Sequence, residues 1–387
     1  MAQNNIVFIT SSRQGAPSLT GQANSLNNVL YQVLCTGFNS QSSVSLSSAA
    51  GIATATKNNH GFVTYDWVLV SGATNNAYNG MQQVLDYTAT NFTFAVAGAP
   101  GADSGTVCFA PAGWVQIYSA SNRMAFQGDD QSSGLILYVD DSGVNGTKSY
   151  RNAWACGYES WNINTGVNPW PTVAQLANGV AWCKSTTLDG TARPWWLVGD
   201  GKRFYVGIAW DANSTGMYDV FCFGDYLPTI AGNAFPGYII GSSSEIQSSI
   251  GTGNLFGALV ALANTSAGKY LCRKYDSTGS ALACGMIGNN TIAAYLGYGG
   301  ITGVNLPTNG IELQPIDFHC GGYLYSPLPG AYQMLHNAIY NNYDILPTFP
   351  ELPGRRLLVL TIAVGAGNSA IGRLVLDITG PWKPAWL

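Results

Sequence analysis

Hydrolytic or group-transfer chemistry needs a base with a nucleophile, or a pair of acids, and this chain offers few of either. Its three histidines are His60, His319 and His336. His60 falls in an Asn-Asn-His-Gly turn between two expected strands, where a structural role is the natural reading. His319 precedes Cys320, but neighbours along a strand point to opposite faces, so the two would not meet as base and nucleophile. His336 sits in an aromatic, Asn-rich stretch that reads as packing or hydrogen bonding. No Gly-x-Ser-x-Gly elbow occurs, which leaves a serine triad without its nucleophile turn.

Two acids flanking a sugar bond are the stronger catalytic pattern. The candidates are Asp129, Asp130, Asp140, Asp141, Glu159, Asp200, Asp211, Asp219 and Asp225. Nearly all lie beside Gly, Ser or Asn, where Asp ordinarily caps a turn. Asp140-Asp-Ser-Gly-Val-Asn-Gly lacks the alternating acids and distal Glu of a calcium loop and reads as a hairpin turn. Gly251-x-Gly253 is not a dinucleotide fingerprint, because Phe256 occupies the third glycine position. The eight cysteines include no Cys-x-x-Cys pair, and no His stands at zinc-ligand spacing. They read as reduced, mostly buried thiols and not as a disulfide framework. No catalytic residue, metal ligand or cofactor is assigned.

The aromatic residues form the one concentrated feature. Trp154, Trp161, Trp170, Trp182, Trp195 and Trp196 crowd one region together with Tyr150 and Tyr158. Trp and Tyr anchor both protein interfaces and sugar sites, and a β core concentrates them as well. Three readings therefore stand side by side: core, subunit interface and glycan platform. The candidate interface or platform set is Trp154, Tyr158, Trp161, Trp170, Trp182, Trp195 and Trp196.

The elements that must position these residues are mostly strands. Leu19, Ala23, Leu26, Leu30 and Val33 recur at helical spacing, with Val29 and Leu34 widening the stripe and Gly37 as the stop. This helix's polar face, with Gln22, Asn24, Asn27, Asn28 and Gln32, carries no charge. It is either simply exposed or covered by another subunit. Alternation then begins: Val63, Tyr65, Trp67 and Leu69, later Phe92, Phe94 and Val96, with Asn79–Gly80 as a hairpin signal. Strand candidates continue at 114–119, 124–127, 135–139, 153–158, 195–198, 204–210 and 218–223. A short helix is expected with Pro171 in its first turn, Val173 and Leu176 inside and Gly179 at its end. The run 255–263 fits strand or helix, and 357–364 with 371–378 look like a closing hairpin. The expected fold is all-β: a sandwich-like body, a small inserted barrel or sandwich, and one N-terminal helix. The expected division is 1–42 for the N-terminal strand and helix, 43–110 for the inserted module and 111–387 for the body.

Composition bounds the partners. Only 9% of residues are charged, against roughly 25% in an average soluble domain. Gly, Ser, Thr and Asn replace them, and a neutral hydroxyl and amide surface does not repel identical neighbours. The net charge of −4 and the absence of a basic run disfavour nucleic acid. No apolar run approaches the ~18 residues that span a bilayer, and the N-terminus reads as lacking a signal peptide, so membrane insertion is not expected.

Several stretches resemble a family of tailed-bacteriophage virion structural, tail-associated proteins. One is Leu19-Thr-Gly-Gln-Ala-Asn-Ser-Leu-Asn-Asn-Val-Leu, entered after Ala16–Pro17. A second group is His60-Gly-Phe-Val, Val70-Ser-Gly-Ala, Tyr78–Asn79–Gly80 and Phe92-Thr-Phe, similar to a small β module inserted in many phage tail and baseplate proteins. The body contributes Pro111-Ala-Gly-Trp, Leu137-Tyr-Val-Asp-Asp-Ser-Gly, Gly157-Tyr-Glu-Ser, Trp195-Trp-Leu-Val-Gly-Asp-Gly and Phe221-Cys-Phe-Gly-Asp. The C-terminal part adds Leu328-Pro-Gly-Ala-Tyr-Gln and Asp377-Ile-Thr-Gly-Pro-Trp. The resemblance implies a non-enzymatic virion component, assembled in a host cytoplasm, whose partners are copies of itself and neighbouring tail proteins. The alternatives are a receptor- or glycan-binding tail protein that meets a host surface glycan, a capsid decoration protein, or a tail depolymerase.

Overall fold

The computed structural model describes residues 5–143, 152–209, 211–213, 216, 218–227, 232–242, 268–287, 313–320, 323–334, 340–346, 352–364 and 370–382. The fold is all-β with one helix. Strand β1 (Val7–Thr10) leads to α1 (Ser25–Tyr31), which continues as a π-helical turn over Gln32–Thr36. Six strands follow: β2 (Phe38–Ala49), β3 (Ile52–Thr56), β4 (Trp67–Ser71), β5 (Gly80–Tyr87), β6 (Asn91–Ala95) and β7 (Asp103–Phe109). They close into a barrel in the order β2-β3-β6-β5-β4-β7. Its first and last strands meet where Phe38 pairs with Phe109. The chain therefore enters and leaves the barrel at one point, as an insertion does. His60 is buried inside it, its Nδ1 accepting from the Phe62 amide and its Nε2 2.8 Å from the Thr88 carbonyl, between the Phe62 and Phe92 rings.

The body strands are β8 (Val115–Ala120), β9 (Arg123–Gln127), β10 (Ile136–Asp140), β11 (Asn152–Asn162), β12 (Thr165–Trp170) and β13 (Val180–Cys183). After them come β14 (Trp195–Gly199), β15 (Arg203–Ile208), β16 (Asp219–Asp225), β17 (Gly237–Ser242), β18 (Gly268–Arg273) and β19 (Ala281–Ala283). With β1 they form one large sheet, ordered β1-β14-β15-β16-β17-β13-β11-β10-β9-β8, with β12 on β11 and β18 and β19 beyond β17. A second sheet holds β20 (Gly285–Ile287), β21 (Leu313–Cys320), β22 (Tyr323–Met334), β23 (Ile345–Leu346), β24 (Leu357–Val364) and β25 (Ala370–Asp377). The closing hairpin is β24–β25, paired from Leu357↔Asp377 to Val364↔Ala370.

Strands β14 to β17 are apolar on both sides because both sides are covered. Trp195, Leu197, Phe204, Val206, Phe221, Phe223 and Ile239 face one core, shared with α1, β10, β11 and β13. Trp196, Val198, Tyr205, Cys222, Tyr238 and Ile240 face a second core, shared with Leu358, Leu360, Leu374 and Leu376 of the other sheet and with Trp382 beyond it. A strand buried twice reads as a continuous apolar run instead of an alternation.

The N-terminal helix is shorter than its apolar spacing suggests. Leu19 bridges to Arg193 instead of starting a helix, and Asn24 sits in the left-handed region at φ 65°. The helix opens where Asp141 accepts from the amides of Leu26 and Asn27. Asp141 is fully buried and ion-paired to the fully buried Lys184, which also donates to the Gln22 carbonyl at 2.6 Å. One carboxylate thus caps α1 from the distant β10 end. Part of the helix's neutral polar face is spent internally, since buried Asn27 donates to the Asn122 carbonyl.

The expected helix after Pro171 is instead a hydrogen-bonded turn, with the amides of Gln175 and Leu176 donating to the Thr172 carbonyl. Gln175 reaches away to the Ala281 carbonyl and amide, which holds the segment against β19. Asn79–Gly80 closes a longer loop than a two-residue hairpin, because the Asn79 side chain clamps the Ala73 backbone from both sides. The run 255–263, the turn at Asn145–Gly146, Gly251-x-Gly253 and His336 lie outside the described residues.

Arg13, after β1, ties the body to Asp66 of the barrel at 2.8 Å. Burial pushes Asp66 up to about 6, with Arg13 and the Val63 amide opposing. The folded chain therefore holds this proton more tightly than the unfolded chain does, whose Asp titrates near ~3.9. That stabilisation is complete below pH ~4 and is lost as pH rises through ~6, a change of about 3 kcal/mol. Thermal unfolding should come at higher temperature near pH ~5 than near pH ~8, and Asp66→Asn should flatten that dependence. An unfolding temperature that rises monotonically across that range, equally in the variant, would refute the assignment.

Candidate functional site

Most of the acids considered for sugar hydrolysis are occupied in building the fold. Asp200 accepts from the amides of Lys202 and Arg203 and shapes the β14–β15 turn. Asp225 accepts from the Ser133 amide and hydroxyl. Asp129 and Asp211 each accept from the amide two residues on. Glu159 holds Arg273 at 2.6 Å and accepts from the Gly279 amide and Asn168, which staples the β11–β12 hairpin to the β18–β19 hairpin. Asp219 is completely buried with no hydrogen-bond partner among the described residues, and burial pushes its carboxyl well above the usual range.

The tryptophans divide by burial. Trp170, Trp182, Trp195 and Trp196 have no exposed surface, and Trp154 is 7% exposed. Trp170 stacks on Phe223 at 5.6 Å and Trp182 on Phe221 at 5.8 Å, inside the core between the two halves of the large sheet. The Trp182 and Trp195 indoles donate to the carbonyls of Ile240 and Pro17. In the isolated chain these residues are core and present no face to a ligand. Tyr150 lies outside the described residues.

Tyr158 and Trp161 are different. Both are half-buried and join Tyr118 and Tyr138 in one cluster on the outer side of β8 to β11. Trp161 lies 5.3 Å from Tyr118, 5.7 Å from Tyr138 and 5.6 Å from Tyr158. The gathering has a local cause. Both Tyr118 and Tyr138 pair across to Ala125, whose small, fully buried side chain leaves room for the rings above it. Gly166 serves the same purpose for Tyr158, since a Cβ there would overlap the Tyr158 ring.

Beside the cluster is a cleft of about 170 Å³ lined by Tyr138, Asp140, Cys156, Tyr158, Pro171 and the 176–179 segment. Asp140 accepts from Arg123 at 2.8 Å and from the Ser142 amide and hydroxyl. Burial opposes its ionisation, yet those hydrogen bonds hold its carboxyl below the usual range. Burial pushes the Tyr138 phenol and the Cys156 thiol each up to about 12, so both stay protonated. A protonated thiol is a poor nucleophile.

The same end of the sheet carries an anomaly. Ile163, at the tip of the β11–β12 hairpin, is 90% exposed and has φ 42°. The left-handed region is strained for a β-branched residue, by roughly 1–2 kcal/mol. Val115 on strand β8, at the end of the sheet order, and Val173 on the cleft rim are also largely exposed. Strand β8, Val-Gln-Ile-Tyr-Ser-Ala, carries none of the charges that usually blunt a sheet edge.

Sequence reading missed Tyr118, Tyr138 and Ile163. The first two could have been found only by knowing that Ala125 lies between them. The signal for Ile163 was local: an apolar residue between two asparagines at a turn.

No family model and no curated protein matches the chain. Among solved structures, a phage phi92 endosialidase is similar at 12% identity and a TM-score of 0.15, over 88% of this chain and 52% of that one. This chain thus spans about half the length of that structure, and so distant a likeness transfers neither fold nor activity.

Proposed function

We propose that this protein is a structural component of a tailed-phage virion, in the tail, collar or baseplate, and that it acts through subunit contacts and not through catalysis. The observation that carries the reading is Ile163: an apolar, β-branched side chain held in a strained backbone and exposed to water. Strain of this kind persists where the surroundings require it and marks contact or switch positions. On this account the hairpin tip inserts into a neighbouring copy. The charge-poor surface and the bare β8 edge allow such copies to pack without repulsion. The resemblance of the Leu19–Leu30, barrel and body motifs to virion proteins supplies the setting.

Immunogold labelling and mass spectrometry of purified particles test the setting. The protein should appear in many copies at one position on the tail, collar or baseplate. Its absence from washed particles would overturn the proposal.

A receptor-binding role is the second reading, favoured by the half-buried aromatic cluster around Trp161.

A further inference from the structure

We infer that the cleft between Tyr138, Tyr158 and the 171–179 turn binds a single neutral sugar ring. At about 170 Å³ it falls below the ~300–1,000 Å³ of pockets that hold drug-sized ligands, which suits one ring and not an extended cofactor. Its walls are chemically two-sided, as a sugar is. Tyr138 and Tyr158 meet edge to face at 6.1 Å and 88°, and Pro169 and Pro171 complete an apolar wall for the C–H face of a pyranose. The polar side has the Asp140 carboxylate, fixed in its ionised form, as a hydroxyl acceptor, with the neutral Tyr138 phenol as a donor.

Charge selects the class of sugar. Among the described residues lining the cleft there is no cation, and the Arg123 guanidinium behind Asp140 is spent on Asp140 and Ser142. An acidic sugar would bring a second carboxylate beside Asp140 with no cation among the described lining residues to neutralise it, whereas a neutral ring meets no such penalty. The cleft is also preformed. Gln175 fixes the turn to Ser280 and Ala281, and Gly179 passes so close to the Ala155 carbonyl that no side chain would fit there. Little ordering entropy is then lost on binding. Trp161 adjoins Tyr158, so a second ring of a longer glycan has an aromatic surface to follow.

The test is saturation-transfer NMR and calorimetry on the purified full chain, with a panel of neutral oligosaccharides and sialyllactose as the acidic control. Ala177 is exposed on the rim, so Ala177→Trp fills the cleft without touching the core. At least one neutral oligosaccharide should bind, with affinity reduced about tenfold or more in Ala177→Trp and in Tyr158→Ala, and largely retained in Tyr158→Phe. The inference is overturned if no neutral sugar binds at concentrations well above millimolar, if Ala177→Trp binds as the wild type does, or if only sialyllactose binds. None of these outcomes bears on the virion reading, which particle labelling tests separately.

Discussion

Lys184→Met should lower the unfolding free energy by about 3–5 kcal/mol, the usual consequence of leaving one partner of a buried ion pair alone. The fully buried Asp141 carboxylate would lose its Lys184 partner while still capping α1 through Leu26 and Asn27. Its carboxyl, already raised by burial against the pull of Lys184, would then be pushed up further. Adding Asp141→Asn to Lys184→Met removes the stranded charge and keeps a carbonyl acceptor for the Leu26 amide. The double variant should therefore recover about 1–3 kcal/mol of the loss. Denaturant unfolding followed by tryptophan fluorescence reads this directly, because Trp182 lies two residues from Lys184. A double variant less stable than Lys184→Met alone would show that the pair contributes through some other contact.

Ile163→Gly separates stability from assembly. Glycine accepts the left-handed backbone, relieving roughly 1–2 kcal/mol of strain, against roughly 0.5–1 kcal/mol for glycine's greater freedom in the unfolded chain. The monomer's unfolding midpoint should stay level or rise slightly. Self-association should weaken by about 10- to 100-fold, the equivalent of losing one buried isoleucine of about 1.5–3 kcal/mol from the contact. A loss of stability with unchanged association would make Ile163 an ordinary turn residue and remove the main support for the assembly reading.

Much of the fold was legible in the sequence because short strands separated by Gly, Asn and Ser leave clear punctuation. The expected strands at 114–119, 124–127, 135–139 and 195–198 appear within about a residue of their places as β8, β9, β10 and β14, and the barrel closes over Phe38–Phe109. Helix boundaries were less legible. The Leu19–Val33 stripe has helical spacing, but the Leu19–Arg193 bridge and the Asn24 backbone are long-range and turn effects that periodicity does not record. The turn after Pro171 mimics a helix in composition, and only the distant Ala281 explains why Gln175 leaves it.

The aromatic set was legible as a concentration and not as a site. Trp195 and Trp196 are adjacent in sequence and buried in different cores, because a second sheet covers the face that would otherwise meet solvent. Nothing local distinguishes them from Trp161. The ring cluster over Ala125 depends on the register of three strands, and that register was not readable from the chain.

Sedimentation velocity of the purified full chain over a wide concentration range tests the central claim most directly. A neutral, strained and apolar contact surface predicts a discrete oligomer that dissociates on dilution, with Ile163→Gly shifted toward the single subunit. A wild-type chain that sediments as one 40.9 kDa species at every concentration, and is indistinguishable from the glycine variant, would contradict it.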